Sequence, residues 1–229
     1  MKVLVTGASR GIGAATALLF AKAGARVGAH FNADAAAAAS VAAACGDARA
    51  FQADLTQGPG DLMARFLDWA GGIDVLVNNA GGVPATREAT MALNLDTPVA
   101  LIRAAWPAMA AAKSGSIVNL SSYVTAKAAS PRLADYAIAK AGLEQATRNF
   151  AREGASLGIR VNAVRPGLVD TDLNRWADDP DRTSFQARAA RVPMGRAATP
   201  AEIAAAIVFL AGPRSSYTTG AILTIAGGE

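Results

Sequence analysis

Lys2-Val3-Leu4-Val5-Thr6-Gly7-Ala8-Ser9-Arg10-Gly11-Ile12-Gly13 reads as a short apolar strand running into a glycine-rich turn, and the alanine-rich run to about Ala23 reads as a helix. Strand, glycine turn, helix is the context in which closely spaced glycines let backbone N–H groups approach a pyrophosphate seated at the positive end of a helix. The spacing is G-x-x-x-G-x-G rather than G-x-G-x-x-G. From this turn alone, phosphate binding and plain turn chemistry remain equally open.

The same pattern repeats outward from it. Strands are expected at Lys2 to Thr6, Arg26 to Phe31, Ala48 to Gln52, Ile73 to Val77, Ser116 to Ser121, Arg160 to Val164 and Ala221 to Ile225. Between them lie helical runs at Asp34 to Cys45, Gly60 to Ala70, Thr86 to Ala112, Tyr136 to Leu157 and Pro200 to Ala211. This alternation predicts an α/β fold: one doubly wound Rossmann-type domain over 1–229, with an about seven-stranded parallel sheet and helices on both faces. Ligands bind such sheets beyond the carboxyl ends of the strands. Polar and glycine residues gather at five of those ends: Thr6-Gly7, Asp54, Asn78-Asn79-Ala80-Gly81, Ser121-Ser122 and Pro166-Gly167.

Composition excludes several other classes. Of 229 residues, 52% are hydrophobic and 17% charged, which is an ordinary globular balance weighted toward small residues. No window approaches the length of a membrane span, and Met1-Lys2-Val3-Leu4 has no signal-peptide layout, so a cytoplasmic protein is expected. The net charge of +4 comes from scattered arginines without interleaved aromatics, which argues against nucleic acid. Cys45 is the only cysteine and His30 the only histidine, so neither a disulfide framework nor a metal-ligand cluster is expected. His30 reads as a packed core or strand-end residue.

Chemistry enters with Tyr136-Ala137-Ile138-Ala139-Lys140. A four-residue spacing puts phenol and ammonium on one helical face. A nearby cation favours phenolate and lowers the tyrosine pKa, fitting it to exchange a proton with a substrate oxygen. The spacing alone more often describes a solvated surface pair.

Taken together, these motifs make the chain resemble the short-chain dehydrogenase/reductase family. Thr6 to Gly13, Asp54, Asn78 to Gly81, Asn94, Ser121-Ser122, Tyr136 with Lys140, Pro166-Gly167, Thr199 to Ile203, Thr219-Gly220 and Gly227-Gly228 stand in the family's order. The resemblance implies a catalytic set of Asn94, Ser122, Tyr136 and Lys140. It implies that Gly7, Gly11 and Gly13 hold phosphates, that Asp54 meets the adenine, and that Asn78 and Gly81 line the cofactor side. Ser9, Ile12, Asn32, Leu55, Ala80, Pro166, Gly167 and Val169 complete the implied cofactor-binding set, with Tyr136 and Lys140 contributing to it. No metal is implied.

Cofactor choice rests on the end of the second strand, His30-Phe31-Asn32, which lacks the carboxylate that would bond an NAD ribose; Asp34 comes a turn too late. Arg10 resembles the basic residue that meets a 2′-phosphate, so NADP(H) is favoured and NAD(H) is possible. Ser122 lies fourteen residues before Tyr136, where many members use thirteen, a place held here by Tyr123; Ser121 is expected to pack or cap the strand end.

The segment at about 170–195 resembles the family's substrate loop. Trp176 is either a loop anchor or a substrate wall, and Arg182, Arg188, Arg191 and Arg196 are either attractors of an acidic substrate or solvated charges. The implied function is hydride transfer between nicotinamide and a small carbonyl or secondary-alcohol substrate. The alternatives are a non-enzymatic dinucleotide sensor or an NAD-dependent polyol or sugar dehydrogenase. The glycine turn and C-terminal segment resemble reductases of 3-oxoacyl thioesters on acyl carrier protein, yet Leu157 stands where those carry an arginine for the carrier. A homo-oligomer, tetramer or dimer, is implied through the Asn94 and Tyr136 helices.

Overall fold

The computed structural model describes residues 1–127, 130–174 and 179–229. Seven parallel strands form one sheet in the order β3-β2-β1-β4-β5-β6-β7. They are β1 (Lys2–Val5), β2 (Arg26–Phe31), β3 (Ala48–Gln52), β4 (Val75–Asn78), β5 (Gly115–Leu120), β6 (Ile159–Pro166) and β7 (Ile222–Ile225). Strand order reverses between β1 and β4, which opens a crevice at their carboxyl ends.

Side chains alternate across the sheet, and both faces are covered. Val3, Val5, Val27, Val75, Val77, Val118 and Val164 pack with Phe20, Ile203, Ile207 and Leu210 on one face. Leu4, Leu76, Ile117 and Val161 pack with Phe66, Leu101, Ile102 and Met109 on the other. The first layer uses helices α1 (Gly11–Lys22) and α8 (Pro200–Ala211), with α2 (Ala35–Cys45) beside α1. The second uses α3 (Leu62–Ala70), α5 (Thr97–Ala112) and α6 (Ala134–Gly154).

Two local differences from the sequence expectation have clear causes. The run at 86–112 is broken: α4 (Arg87–Met91) passes into a π-helical turn at Ala92–Asp96 before α5 begins. An extra residue in one turn swings Asn94 inward, and such turns recur at functional sites. The segment read as a substrate loop contains a helix, α7 (Thr183–Ala189). It starts where the Asp179 carboxylate accepts hydrogen bonds from the Ser184 and Phe185 backbone N–H groups and from the Ser184 hydroxyl, a distant cap that the short apolar content of this helix does not advertise.

Candidate active site

The glycine turn closes β1 onto α1 with almost no space to spare. Gly7 and Gly11 adopt φ of 64° and 56°, conformations that favour glycine. A Cβ on Gly13 would stand 2.1 Å from the Gly7 carbonyl oxygen, so the first turn of α1 lies directly against the loop. Beneath it sits His30. The Gly7 N–H donates to His30 Nδ1 at 3.0 Å, and Nε2 lies 3.0 Å from the Ala53 carbonyl oxygen, which fixes Nε2 as the protonated nitrogen. Burial drops the His30 pKa to about 4. The histidine read as a packing residue therefore braces the glycine turn against the end of β3. A lone histidine ending the strand beside that turn was the available signal.

The neighbouring strand end is pinned by Thr6, whose hydroxyl oxygen accepts from the Asn79 and Ala80 backbone N–H groups at 2.9 Å each. The Asn79 amide donates to the Thr6 and Gly7 carbonyls at 2.8 and 3.1 Å, so it ties strands together. From there Gly81 leads to the π turn. A Cβ on Gly81 would lie 3.0 Å from Asn94 Oδ1 and 3.1 Å from Lys140 Nζ. Asn94 is fully buried and donates to the Gly82 and Thr90 carbonyls at 2.9 and 2.8 Å.

Helix α6 delivers the other side of the site. Lys140 is 2% exposed and donates from Nζ to the Leu120 carbonyl at 2.7 Å. The same Nζ sits 5.7 Å from the centroid of the Tyr136 ring. The Ser122 side chain lies near enough to the Tyr136 phenol to favour its ionised form. Phenol, hydroxyl and ammonium thus converge at the tips of β4 and β5, and the solvated surface pair is ruled out.

Their electrostatics differ from the sequence expectation. Burial raises the Tyr136 pKa, with neighbouring Ser122 pulling the other way, and burial lowers Lys140 to about 7. The ammonium expected to acidify the phenol is itself stripped of water, so its charged form is penalised as well.

Residues 7–229 match a family model described as enoyl-(acyl carrier protein) reductase. The chain is 38% identical to the 3-oxoacyl-(acyl-carrier-protein) reductase FabG of Vibrio cholerae, over 98% of this chain and 95% of the relative. It is 41% identical to a cis-4-hydroxycyclohexanecarboxylate dehydrogenase of Sinomonas cyclohexanicum, over 98% of this chain and 94% of the relative. A solved structure of a short-chain dehydrogenase/reductase family protein has a TM-score of 0.86 at 36% identity, covering 100% of this chain and 96% of that one. This chain belongs to the short-chain dehydrogenase/reductase family. As a short-chain dehydrogenase/reductase it is an NAD(P)-dependent oxidoreductase acting on hydroxyl or carbonyl groups, and the non-enzymatic sensor is set aside.

The crevice of this dehydrogenase/reductase fits a dinucleotide: a glycine cradle that a Cβ would fill, the N-terminus of α1, and Gly81 opening onto Lys140. Ser9 lies in the turn, Arg10 caps α1, and Gly11 and Ile12 open that helix. Arg10 is exposed and lies 3.8 Å from Asp172, an ion pair across the mouth. Asp54 is exposed at the sheet end, and its carboxylate accepts from the Thr56 N–H and hydroxyl at 3.0 and 2.8 Å, an Asx turn. Asn32 is exposed beside it, and Asp34 is spent capping α2 through the Ala37 N–H at 2.9 Å. Ala80 and Gly81 border the crevice, and Pro166 and Gly167 end β6.

Three implied cofactor residues are turned inward. Asn78 is 1% exposed and donates to Asn119 Oδ1 at 2.9 Å, because the end of β4 pairs with β5 and that amide joins a core network. Leu55 and Val169 are each 3% exposed, with side chains in the two core layers and carbonyls taken by Thr97 and Asn174. Two of the arginines considered for an acidic substrate are paired within the chain: Arg182 with Asp170 and Arg196 with Glu202, each at 2.6 Å. Arg188 donates to Asn174 at 3.3 Å, and Arg191 is exposed. Trp176 lies outside the described residues. Among the described residues no metal-binding group occurs and no helix is long and apolar enough to cross a membrane.

Proposed function

We propose that this enzyme is an NADP(H)-preferring carbonyl reductase or secondary-alcohol dehydrogenase in which Tyr136 exchanges the proton at the substrate oxygen. The observation that carries the reading is buried Lys140 one helical turn from Tyr136, its Nζ 5.7 Å from the Tyr136 ring centroid, with Ser122 beside the phenol. In reduction, Tyr136 donates its proton to the carbonyl oxygen while the Ser122 hydroxyl donates a hydrogen bond to the same atom, offsetting the negative charge that develops there. The bound nicotinamide supplies the hydride to the carbonyl carbon. Lys140 holds the proton reserve behind the phenol and, with Asn94 beside it across Gly81, positions the ribose. In oxidation Tyr136 takes the proton instead.

Arg10 supports NADP(H), since it is an exposed cation at the N-terminus of α1 and the end of β2 at Asn32 carries no carboxylate to oppose a 2′-phosphate. The segment at 170–195, with α7 and buried Phe185, serves as the loop over the substrate. A small ketone, keto-ester or 3-oxoacyl thioester is the substrate class; relatives named for 3-oxoacyl and hydroxycyclohexane substrates support it. A groove of about 480 Å³ between α5 and α6, lined by Val99, Arg103, Trp106, Phe150 and Glu153, is the candidate seam of a homo-oligomer.

The test is a spectrophotometric screen of NADPH and NADH oxidation against ketones, keto-esters, 3-oxoacyl and enoyl thioesters, with Tyr136→Phe as control. Loss of reduction in the variant supports the reading. Undiminished turnover, or activity with enoyl thioesters alone, overturns it.

A further inference from the structure

Tyr136, Lys140 and Glu144 stand at successive turns of one face of α6, and only the first two belong to the reaction described above. Glu144 is 4% exposed. One of its oxygens accepts from the Ser121 hydroxyl at 2.6 Å, the Thr125 hydroxyl at 2.6 Å and Arg165 Nε at 2.9 Å; the other accepts from Arg165 Nη2 at 2.6 Å. Arg165 comes from β6 and also reaches the Thr224 hydroxyl of β7 at 3.4 Å. A carboxylate held by a two-pronged guanidinium is fixed in orientation as well as charge. Burial pushes the Glu144 pKa up, but the hydrogen bonds from Arg165, Ser121 and Thr125 outweigh it and hold the carboxyl below its usual range.

What this carboxylate grips is the segment that carries Ser122. The Ser122 side chain has little local support: its contact with the Val124 N–H is 3.5 Å long. Its flanks are stapled instead, Ser121 on one side and Thr125 on the other, to the same Glu144 oxygen. The Thr125 hydroxyl oxygen also lies 2.9 Å from the Ser122 carbonyl oxygen. Ser122 is therefore referenced to the helix that bears Tyr136, through an ion pair neither member of which touches the reacting atoms.

We infer that the Glu144–Arg165 pair is a positioning device that sets the Ser122 hydroxyl at the Tyr136 phenol, so that Glu144 and Arg165 control turnover through Ser122. The inference rests on the proposed roles of Tyr136 and Ser122. Because a buried ion pair gives little net stability relative to apolar residues, an apolar pair holds the fold while releasing the staple.

The experiment is a double-mutant cycle on kcat with NADPH and a turned-over ketone, using Glu144→Gln, Ser122→Ala and their combination. Glu144→Gln is expected to lower kcat about 10-fold with the KM for NADPH unchanged, and to lower it less than about 2-fold further in the Ser122→Ala background. Glu144→Leu/Arg165→Leu is expected to melt near wild type yet keep the kcat loss. Thr125→Val, which leaves the ion pair in place, repeats the cycle if Glu144→Gln folds poorly, and is expected to show the same non-additivity. Equal factors in both backgrounds, or full kcat in the well-folded apolar double variant, overturn the inference while leaving the site assignment standing. Full activity of Ser122→Ala and Tyr136→Phe overturns both together.

Discussion

Asn94 and Lys140 approach each other across Gly81, the glycine's missing side chain leaving room for an amide oxygen and an ammonium. Gly81→Ala would drive its methyl between them, 3.0 Å from one and 3.1 Å from the other. Because Gly81 has no positive φ, the backbone tolerates alanine. The expected outcome is a kcat reduced by about 10-fold or more with a melting temperature within about 5 °C of wild type. Steady-state kinetics alongside calorimetry checks it; unchanged kcat would mean that the Lys140 head can move without consequence.

Gly13→Ala acts through packing instead. Its methyl would sit 2.1 Å from a backbone oxygen that cannot rotate away, so the turn must open. We expect destabilisation of about 1–3 kcal/mol, with the KM for dinucleotide raised more than that for substrate. Denaturant unfolding and cofactor titration read the two effects separately.

His30 couples the glycine turn to acid. Its pKa falls from 6.5 to about 4 because the ring is buried, so between those values the unfolded chain binds a proton that the folded protein does not. Stability is complete above pH 6.5 and is lost as pH falls toward 4, by up to about 3 kcal/mol. His30→Gln should flatten that acid limb in urea melts taken from pH 7 to pH 4.5.

Lys140 has the same sign at a higher pH. Its pKa is lowered from 10.5 to about 7, so from pH 7 upward the unfolded chain holds more protons and its contribution rises with pH. Keeping the ammonium buried costs stability at neutral pH. Lys140→Met should melt higher at pH 7, by about 1–3 kcal/mol, while losing activity. Thermal melts at pH 7 and pH 9 check this, the difference between variant and wild type shrinking at the higher pH.

Arg10→Ala should reduce kcat/KM for NADPH by about 10-fold or more and leave that for NADH within about 2-fold, as one guanidinium–phosphate contact is removed. Its exposed pairing with Asp172 at 3.8 Å contributes little to stability, so the melting temperature should not move. Equal losses with both cofactors would assign Arg10 to the loop rather than to the phosphate.

The sequence by itself determined the sheet and its contents. Continuous apolar runs such as Val75-Leu76-Val77, separated by helical periods, leave little choice but parallel strands covered on both faces, whereas the glycine turn and the Tyr136–Lys140 spacing were ambiguous by themselves and Ser122 was singled out only by resemblance to the family. Tertiary structure decided which of those groups point into the crevice and in what charge state. Asn78, Leu55 and Val169 occupy the right positions yet turn inward, because pairing of β4 with β5 and packing of the two layers claim their side chains. Glu144 reads as an ordinary helical carboxylate until β6 brings Arg165 to it from 21 residues away. Charge states were equally illegible, since desolvation of Tyr136, Lys140 and His30 depends on how much water neighbouring elements exclude, and that is a property of the assembled layers rather than of any stretch of chain.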